Sequence, residues 1–213
     1  MLGGVPGTRS AKVAILGGGV AGTNAIAMAV GLGADVTVLD TNINRLRELD
    51  SIYHGRLKTL ASNSFEIDRA VSQADLVIGS VLIPGAKAPK LVTNALVKKM
   101  KPGSVLVDIA IDQGGCFEDS KPTTHAEPTF KVHQSIFYCV ANMPGAVAHT
   151  STYALTNATL SYAKALANKG WLEACKADHS LALGLNTHAG KLVNQPVAEA
   201  HSLPYSDLDA LLA

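Results

Sequence analysis

Along the first two thirds of the chain, short aliphatic runs alternate with stretches whose apolar residues recur at helical spacing. The runs Lys12–Leu16, Ala34–Leu39, Ala74–Gly79, Ser104–Ile109 and Ser135–Val140 are five or six residues long and rich in Val, Ile and Leu. Runs of that length, dominated by aliphatic residues, predict strands buried on both faces, although Asp35 and Thr37 interrupt the second. Leu57–Leu60 is a further, shorter candidate. Between the runs, the spacing predicts helices over Val20–Leu32, Asn42–Leu49, Ser64–Gln73 and Thr93–Met100. Gly31 and Gly33 stop the first, Asn42 or Thr41 caps the second, and Ser64 is the cap expected for the third. Strands that alternate with helices predict an α/β fold with a parallel, doubly wound sheet. From Val147 the pattern changes to one long helix, Thr150–Asn168, followed by short helical or irregular pieces punctuated by Gly184, Gly190 and Pro196. The expected division is a sheet domain over residues 1–146 and a helical extension over 147–213, belonging to an incomplete second domain.

The first strand runs into Gly17-Gly-Gly-Val-Ala-Gly22, in which Gly17, Gly19 and Gly22 have the G-x-G-x-x-G spacing. Asp40 closes the second strand, 18 residues after Gly22. Each position has a job in a Rossmann-type dinucleotide site. Gly17 allows a tight turn, Gly19 leaves room for a pyrophosphate against the backbone, and Gly22 lets helix and strand pack closely. The helix N-terminus adds unpaired N–H groups and the positive end of its dipole. Asp40 is placed to accept hydrogen bonds from a ribose, each charge-assisted bond contributing about 1.5–3 kcal/mol. Its charge opposes a 2′-phosphate, so NAD is favoured over NADP. Arg45 lies over the adenine or faces solvent, with nothing in the sequence to choose between them.

In such sheets ligands bind beyond the carboxyl ends of the strands, which selects residues 17–22, Asp40, 80–84, 109–115 and 141–145. In Asp108-Ile-Ala-Ile-Asp112-Gln-Gly-Gly115 the first carboxylate ends a strand and the second lies in the loop. They suit acid–base work beside a nicotinamide, or a turn before Gly-Gly. Asn142 is placed to bond a carboxamide or carboxylate. The seven histidines show no i, i+4 pair and no Cys partner, so no metal site is expected. His125 in Thr123-Thr-His125 reads as an ordinary loop histidine. Cys116, Cys139 and Cys175 form no C-x-x-C, which suits reduced thiols and a cytoplasmic setting. A net charge of +1 and the lack of a basic stripe argue against a nucleic-acid partner, and no apolar run is long enough to span a bilayer.

The segments Val13–Gly22, Val38–Asp40, Asp108–Cys116, Pro122–His125, Tyr138–Ala146, Thr150–Thr152 and Leu185–Gly190 together resemble bacterial L-alanine dehydrogenase, with the proton-translocating nicotinamide nucleotide transhydrogenase a more distant likeness. The resemblance implies oxidative deamination of L-alanine by NAD to pyruvate and ammonium. Carried over by motif, it implies NAD contacts at Val20, Ala21, Asp40, Arg45, Ser62, Val81, Leu82 and Lys121. It adds Ile109, Ala110, Ile111 and Asp112, and Val140, Ala141, Asn142 and Met143. Asp112 takes the place of the family's active-site aspartate. The resemblance also implies a homo-oligomer, a hexamer in the family.

In that family about a third of the chain precedes the nucleotide domain and carries the substrate-gripping Arg and the catalytic Lys and His. This sequence begins about ten residues before its first strand and offers no counterparts. The expectation is a portion that binds NAD but turns over alanine poorly alone, with its 147–213 surface exposing an apolar patch or burying it in an oligomer. A nucleotide-binding or interaction module without chemistry, and a transhydrogenase-like domain, are the alternatives.

Overall fold

The computed structural model describes residues 1–81 and 89–212. They fall into two compact units, residues 1–81 with 89–143, and residues 144–212.

The first unit is a seven-stranded sheet. Its strands are β1 (Lys12–Leu16), β2 (Asp35–Asp40), β3 (Leu57–Ala61), β4 (Leu76–Gly79), β5 (Val105–Asp108), β6 (Thr129–Val132) and β7 (Ser135–Tyr138). They lie in the order β3-β2-β1-β4-β5-β7-β6, all parallel except β6, which runs antiparallel to β7 at the edge. This is the doubly wound Rossmann-type sheet that the alternating pattern predicts. Its helices are α1 (Val20–Gly31), α2 (Ile43–Tyr53), α3 (Ser64–Gln73) and α4 (Asn94–Val97).

The aliphatic runs explain the layering. Along β1, Val13 and Ile15 point into one core with Ile26 and Ala29 of α1 and Leu46, Leu49 and Tyr53 of α2. Ala14 and Leu16 point into the other, with Ile67 and Val71 of α3 and Leu96 and Val97 of α4. A strand with a core on each face has no position for a polar residue, hence the unbroken run.

Several boundaries differ from expectation for local reasons. Helix α2 continues four residues past Leu49, because Tyr53 is buried one turn further on. The cap of α3 is Asn63, not Ser64: its side chain accepts from Glu66 N at 2.9 Å, which puts Glu66 at the third helical position, where a capping box wants it. Helix α4 spans only four residues, and residues beyond Val97 pass into turn. Strand β6 falls where the sequence reads as loop. Its sole pattern is the alternation of half-buried Phe130 and Val132 with exposed Thr129 and Lys131, and it joins β7 through a turn at His133, whose φ is 51°.

The second unit holds α5 (Ala148–Ala177), α6 (His179–Leu183), the two-residue strands β8 (Thr187–His188) and β9 (Lys191–Leu192), α7 (Gln195–His201) and α8 (Leu208–Leu212). Helix α5 starts two residues before the expected Thr150 and is interrupted at Gly170, with φ 75°. No side chain from Ala148 to Lys169 is buried, and Tyr153, Leu155 and Leu160 are each more than half exposed. Among the described residues no helix is long and apolar enough to cross a membrane.

Candidate functional site

The strand order places β1 beside β4, where the connections turn to opposite faces, and the segments that follow these strands adjoin. Gly17 leaves β1 with φ 97° and its N–H donates to Leu39 O at 2.8 Å. A Cβ on Gly17 would lie 3.0 Å from Ser80 O and from Val81 Cγ2. A Cβ on Gly22 would lie 1.9 Å from Gly17 O. At Gly19 a Cβ would meet nothing within 4 Å. The outer glycines are therefore required by the protein's own packing, whereas Gly19 fronts open space.

Helix α1 begins at this turn with Gly19 as its cap, no side-chain capping bond and no acid in its first turn. The N–H groups of Val20, Ala21 and Gly22 precede the first intrahelical acceptor. Among the described residues, the other α-helices of the unit are capped, by Asn42, Asn63 and Thr93. An uncapped N-terminus leaves its donors and its partial positive charge for an anion.

Asp40 ends β2 next to this turn. One carboxylate oxygen accepts from Gly18 N at 2.7 Å and the other from Asn42 N at 2.8 Å. Each oxygen keeps a second lone pair for an incoming hydroxyl. Arg45 is partly buried beside the turn. Its guanidinium folds back over the turn, donating to Gly18 O at 2.7 Å, Thr23 Oγ1 at 2.6 Å and Glu48 Oε2 at 2.6 Å. Ser62 follows β3 and its N–H donates to Asp40 O at 2.9 Å. Leu82 lies outside the described residues.

Beyond β5, Ile109 N donates to Gly79 O at 2.9 Å. Ala110 and Ile111 are buried in the core, while Asp112 is exposed on a single 3₁₀ turn, Ile111–Gln113. Lys121 is exposed with its Nζ 4.6 Å from the Phe130 ring centre. Val140 is buried, Ala141 and Asn142 are exposed, and Met143 is half-buried. The Asn142 carbonyl lies 2.7 Å from His125 Nε2, so this histidine braces the 141–143 turn.

Three residues take supporting roles that the sequence reading did not assign to them. Ser80 Oγ lies within 2.9 Å of both Leu16 O and Gly17 O and ties the two adjoining strand ends. Thr23 donates to Gly19 O at 2.7 Å. Asp108, read as an acid–base candidate, is wholly buried and accepts from Ala110 N, Cys116 N, Phe117 N and Ser120 Oγ. Only the position of Ser80 just after a strand pointed to it. The donors to Asp108 lie up to twelve residues away, with no signature spacing.

Burial, and then the adjacent Asp108 charge, push the Cys116 thiol up to about 12; burial pushes Cys139 up to about 11. Burial and the neighbouring charge thus favour the neutral thiol, which suits a structural rather than a nucleophilic sulfur. The native chain is expected to resist iodoacetamide, all three cysteines being buried, and to label at all three once unfolded in guanidinium. Mass spectrometry checks this, and rapid native labelling of Cys116 would contradict it. Among the described residues no His/Cys/Asp/Glu cluster is arranged to hold a metal.

The model for the alanine dehydrogenase/PNT C-terminal domain matches residues 1–195. The alanine dehydrogenase of Mycolicibacterium smegmatis is 62% identical over 213 residues, which is all of this chain and 57% of that protein. That of Halomonas elongata is 59% identical over 212 residues, with the same 57% covered. A solved L-alanine dehydrogenase superposes with a TM-score of 0.85 at 52% identity, over 94% of this chain and 55% of that one. A transhydrogenase from Sinorhizobium meliloti gives 0.70 at 29% identity, over 87% of this chain and 50% of that one. The chain thus spans somewhat more than half the length of the relatives it matches. The glycine turn with its strand-end acid suits a Rossmann-type dinucleotide site, and the family match along nearly the whole chain names the kind: this chain belongs to the alanine dehydrogenase/PNT C-terminal domain family.

Proposed function

We propose that this chain is the NAD-binding portion of an L-alanine dehydrogenase. One observation carries the reading: the uncapped start of α1 and the open backbone at Gly19 lie beside the Asp40 carboxylate. Bare N–H donors with room in front of them suit a pyrophosphate, and a strand-end carboxylate with spare lone pairs suits a ribose diol.

In this reading Val20, Ala21 and Gly22 present their amides to the pyrophosphate. Asp40 and Ser62, at the ends of β2 and β3, serve the adenosine half. Arg45 acts mainly by fixing the Gly18 carbonyl, so that the turn keeps its shape. Val81 and Leu82 lie between the halves in sequence order. The backbone of Ile109, Ala110 and Ile111, with Lys121 and Val140 to Met143, serves the nicotinamide half, which follows β4, β5 and β7 in the sheet order. When bound, NAD supplies the acceptor for a hydride from the alanine Cα. Asp112, exposed on the 3₁₀ turn that follows β5, is the group we assign to holding and moving protons there. With water, the overall change yields pyruvate, ammonium, NADH and a proton.

Substrate contacts are assigned to the part of the longer relatives that this chain does not span. Residues 1–146 then form the NAD-binding domain and 147–213 belong to the substrate domain. The uncovered first stretch of α5 supports a partner surface there, either that remaining part or another copy in a homo-oligomer. The buried, unpaired thiols support a cytoplasmic setting.

The test mixes this chain with the separately expressed remaining portion of a relative and follows NADH formation from L-alanine. Turnover is expected only from the mixture. Asp112→Ala is expected to lower kcat by about 10²–10⁴, the usual contribution of a positioned acid–base group, while NADH affinity stays within a few fold. Undiminished turnover in Asp112→Ala would remove Asp112 from the mechanism.

A further inference from the structure

The loop that carries Asp112 is gripped from two sides. From inside the core, the Asp108 carboxylate accepts from Ala110 N at 3.2 Å, Cys116 N at 2.8 Å, Phe117 N at 3.3 Å and Ser120 Oγ. From the exposed side, the Lys90 ammonium donates to the carbonyls of Gly114, Gly115 at 3.1 Å and Phe117 at 3.0 Å. One anion thus collects the N–H groups of the loop, and one cation collects its carbonyls. Gly115 makes the closure possible: its φ is 77°, and a Cβ there would lie 2.6 Å from Asp108 Oδ2. The same loop is tied to its neighbours, through Cys116 Sγ to Val81 O at 3.5 Å and through Leu91 N to Cys116 O at 2.7 Å.

We infer that Asp108 and Lys90 are positioning residues, a two-sided clamp that fixes residues 109–121 and so sets where Asp112 and Lys121 stand at the nicotinamide half of the site. The inference rests on the NAD-binding reading for its consequence but not for its geometry. A carboxylate that only stabilised the core would have no reason to spend all its bonds on one loop; these four donors all belong to residues 110–120. Burial pushes the Asp108 carboxyl upward and the Ser120 and backbone donors pull it back, so the loop's bonds are what make the buried charge tolerable. Clamping a loop by its own amides and carbonyls restricts backbone motion without placing a side chain in the cleft.

Two measurements on the full chain test this. Without nucleotide, amide hydrogen exchange is compared in the unaltered chain, Asp108→Asn and Lys90→Gln. Exchange at Ala110, Cys116 and Phe117 is expected to quicken at least tenfold in Asp108→Asn and severalfold in Lys90→Gln, with β1 and β2 amides unchanged. Lys90 is exposed, so its variant stays folded even if Asp108→Asn does not. Titrations with NADH and with ADP, which lacks the nicotinamide half, then locate the effect: NADH affinity is expected to fall about tenfold in Lys90→Gln while ADP affinity stays within twofold. Unchanged loop exchange in Lys90→Gln overturns the clamp. Equal losses of NADH and ADP affinity, or no loss of either, overturn its positioning role. If the unaltered chain binds neither nucleotide, the cofactor reading fails, and the exchange measurement alone decides the clamp.

Discussion

Gly22→Ala is expected to abolish measurable NADH binding and to destabilise the chain by more than about 3 kcal/mol, beyond the usual range for overpacking. The added carbon would sit 1.9 Å from Gly17 O and 2.9 Å from both Gly17 C and Ser80 Oγ. Two of these are backbone atoms, and the third is fixed by its bonds to Leu16 O and Gly17 O. No rotamer change relieves the clash; the turn between β1 and α1 must open. Opening moves the uncapped amides and breaks the close approach of helix to sheet. Gly19→Ala is the informative control. Its Cβ would meet no protein atom, so stability is expected to change by about 1 kcal/mol or less, the cost of alanine in place of glycine at a cap. NADH affinity should nonetheless fall at least tenfold, because the methyl occupies the space proposed for the pyrophosphate. Urea melts and NADH fluorescence titrations on both variants separate the two effects. A stable Gly22→Ala chain, or a Gly19→Ala chain that binds NADH normally, would contradict the assignment of the turn.

Asp40→Ala is expected to weaken NADH binding by about tenfold to a hundredfold, the equivalent of about 1.5–3 kcal/mol for charge-assisted hydrogen bonds. It also strips acceptors from Gly18 N and Asn42 N, so part of the loss is local loosening of the turn and of the α2 cap. Asp40→Asn, which keeps an acceptor and removes the charge, isolates the electrostatic part. Its preference for NADH over NADPH should shrink, because the carboxylate that repels a 2′-phosphate is gone. Parallel titrations with the two nucleotides check this; an unchanged ratio would mean that Asp40 does not face the ribose.

The glycine turn and the sheet were legible because their signals are local. The buried strands show as aliphatic runs, and glycine spacing maps directly onto backbone geometry. The strand-end acid was legible for the same reason. Signals failed where partners are distant in sequence or where two residues compete for one role. Arg45 was undecided because its acceptors, Gly18 O and Thr23 Oγ1, sit 27 and 22 residues earlier. Asn63 displaced Ser64 as a cap because either side chain serves and only the backbone entry decides. The edge strand β6 was invisible because one face meets solvent and its run is four residues. The clamp on the Asp112 loop pairs the buried Asp108 carboxylate with the Lys90 ammonium from a separate segment, an arrangement no spacing encodes. Exposed Asp112 itself was marked by its neighbourhood, a strand end followed by Gly-Gly.

The most direct measurement is a calorimetric titration of the folded, unaltered chain with NADH. Saturable one-to-one binding that is competed by NAD and by ADP, and lost in Gly22→Ala, is the expected result. A chain with the circular dichroism of an α/β fold and no heat on adding NADH would contradict a dinucleotide site at the Gly17–Gly22 turn.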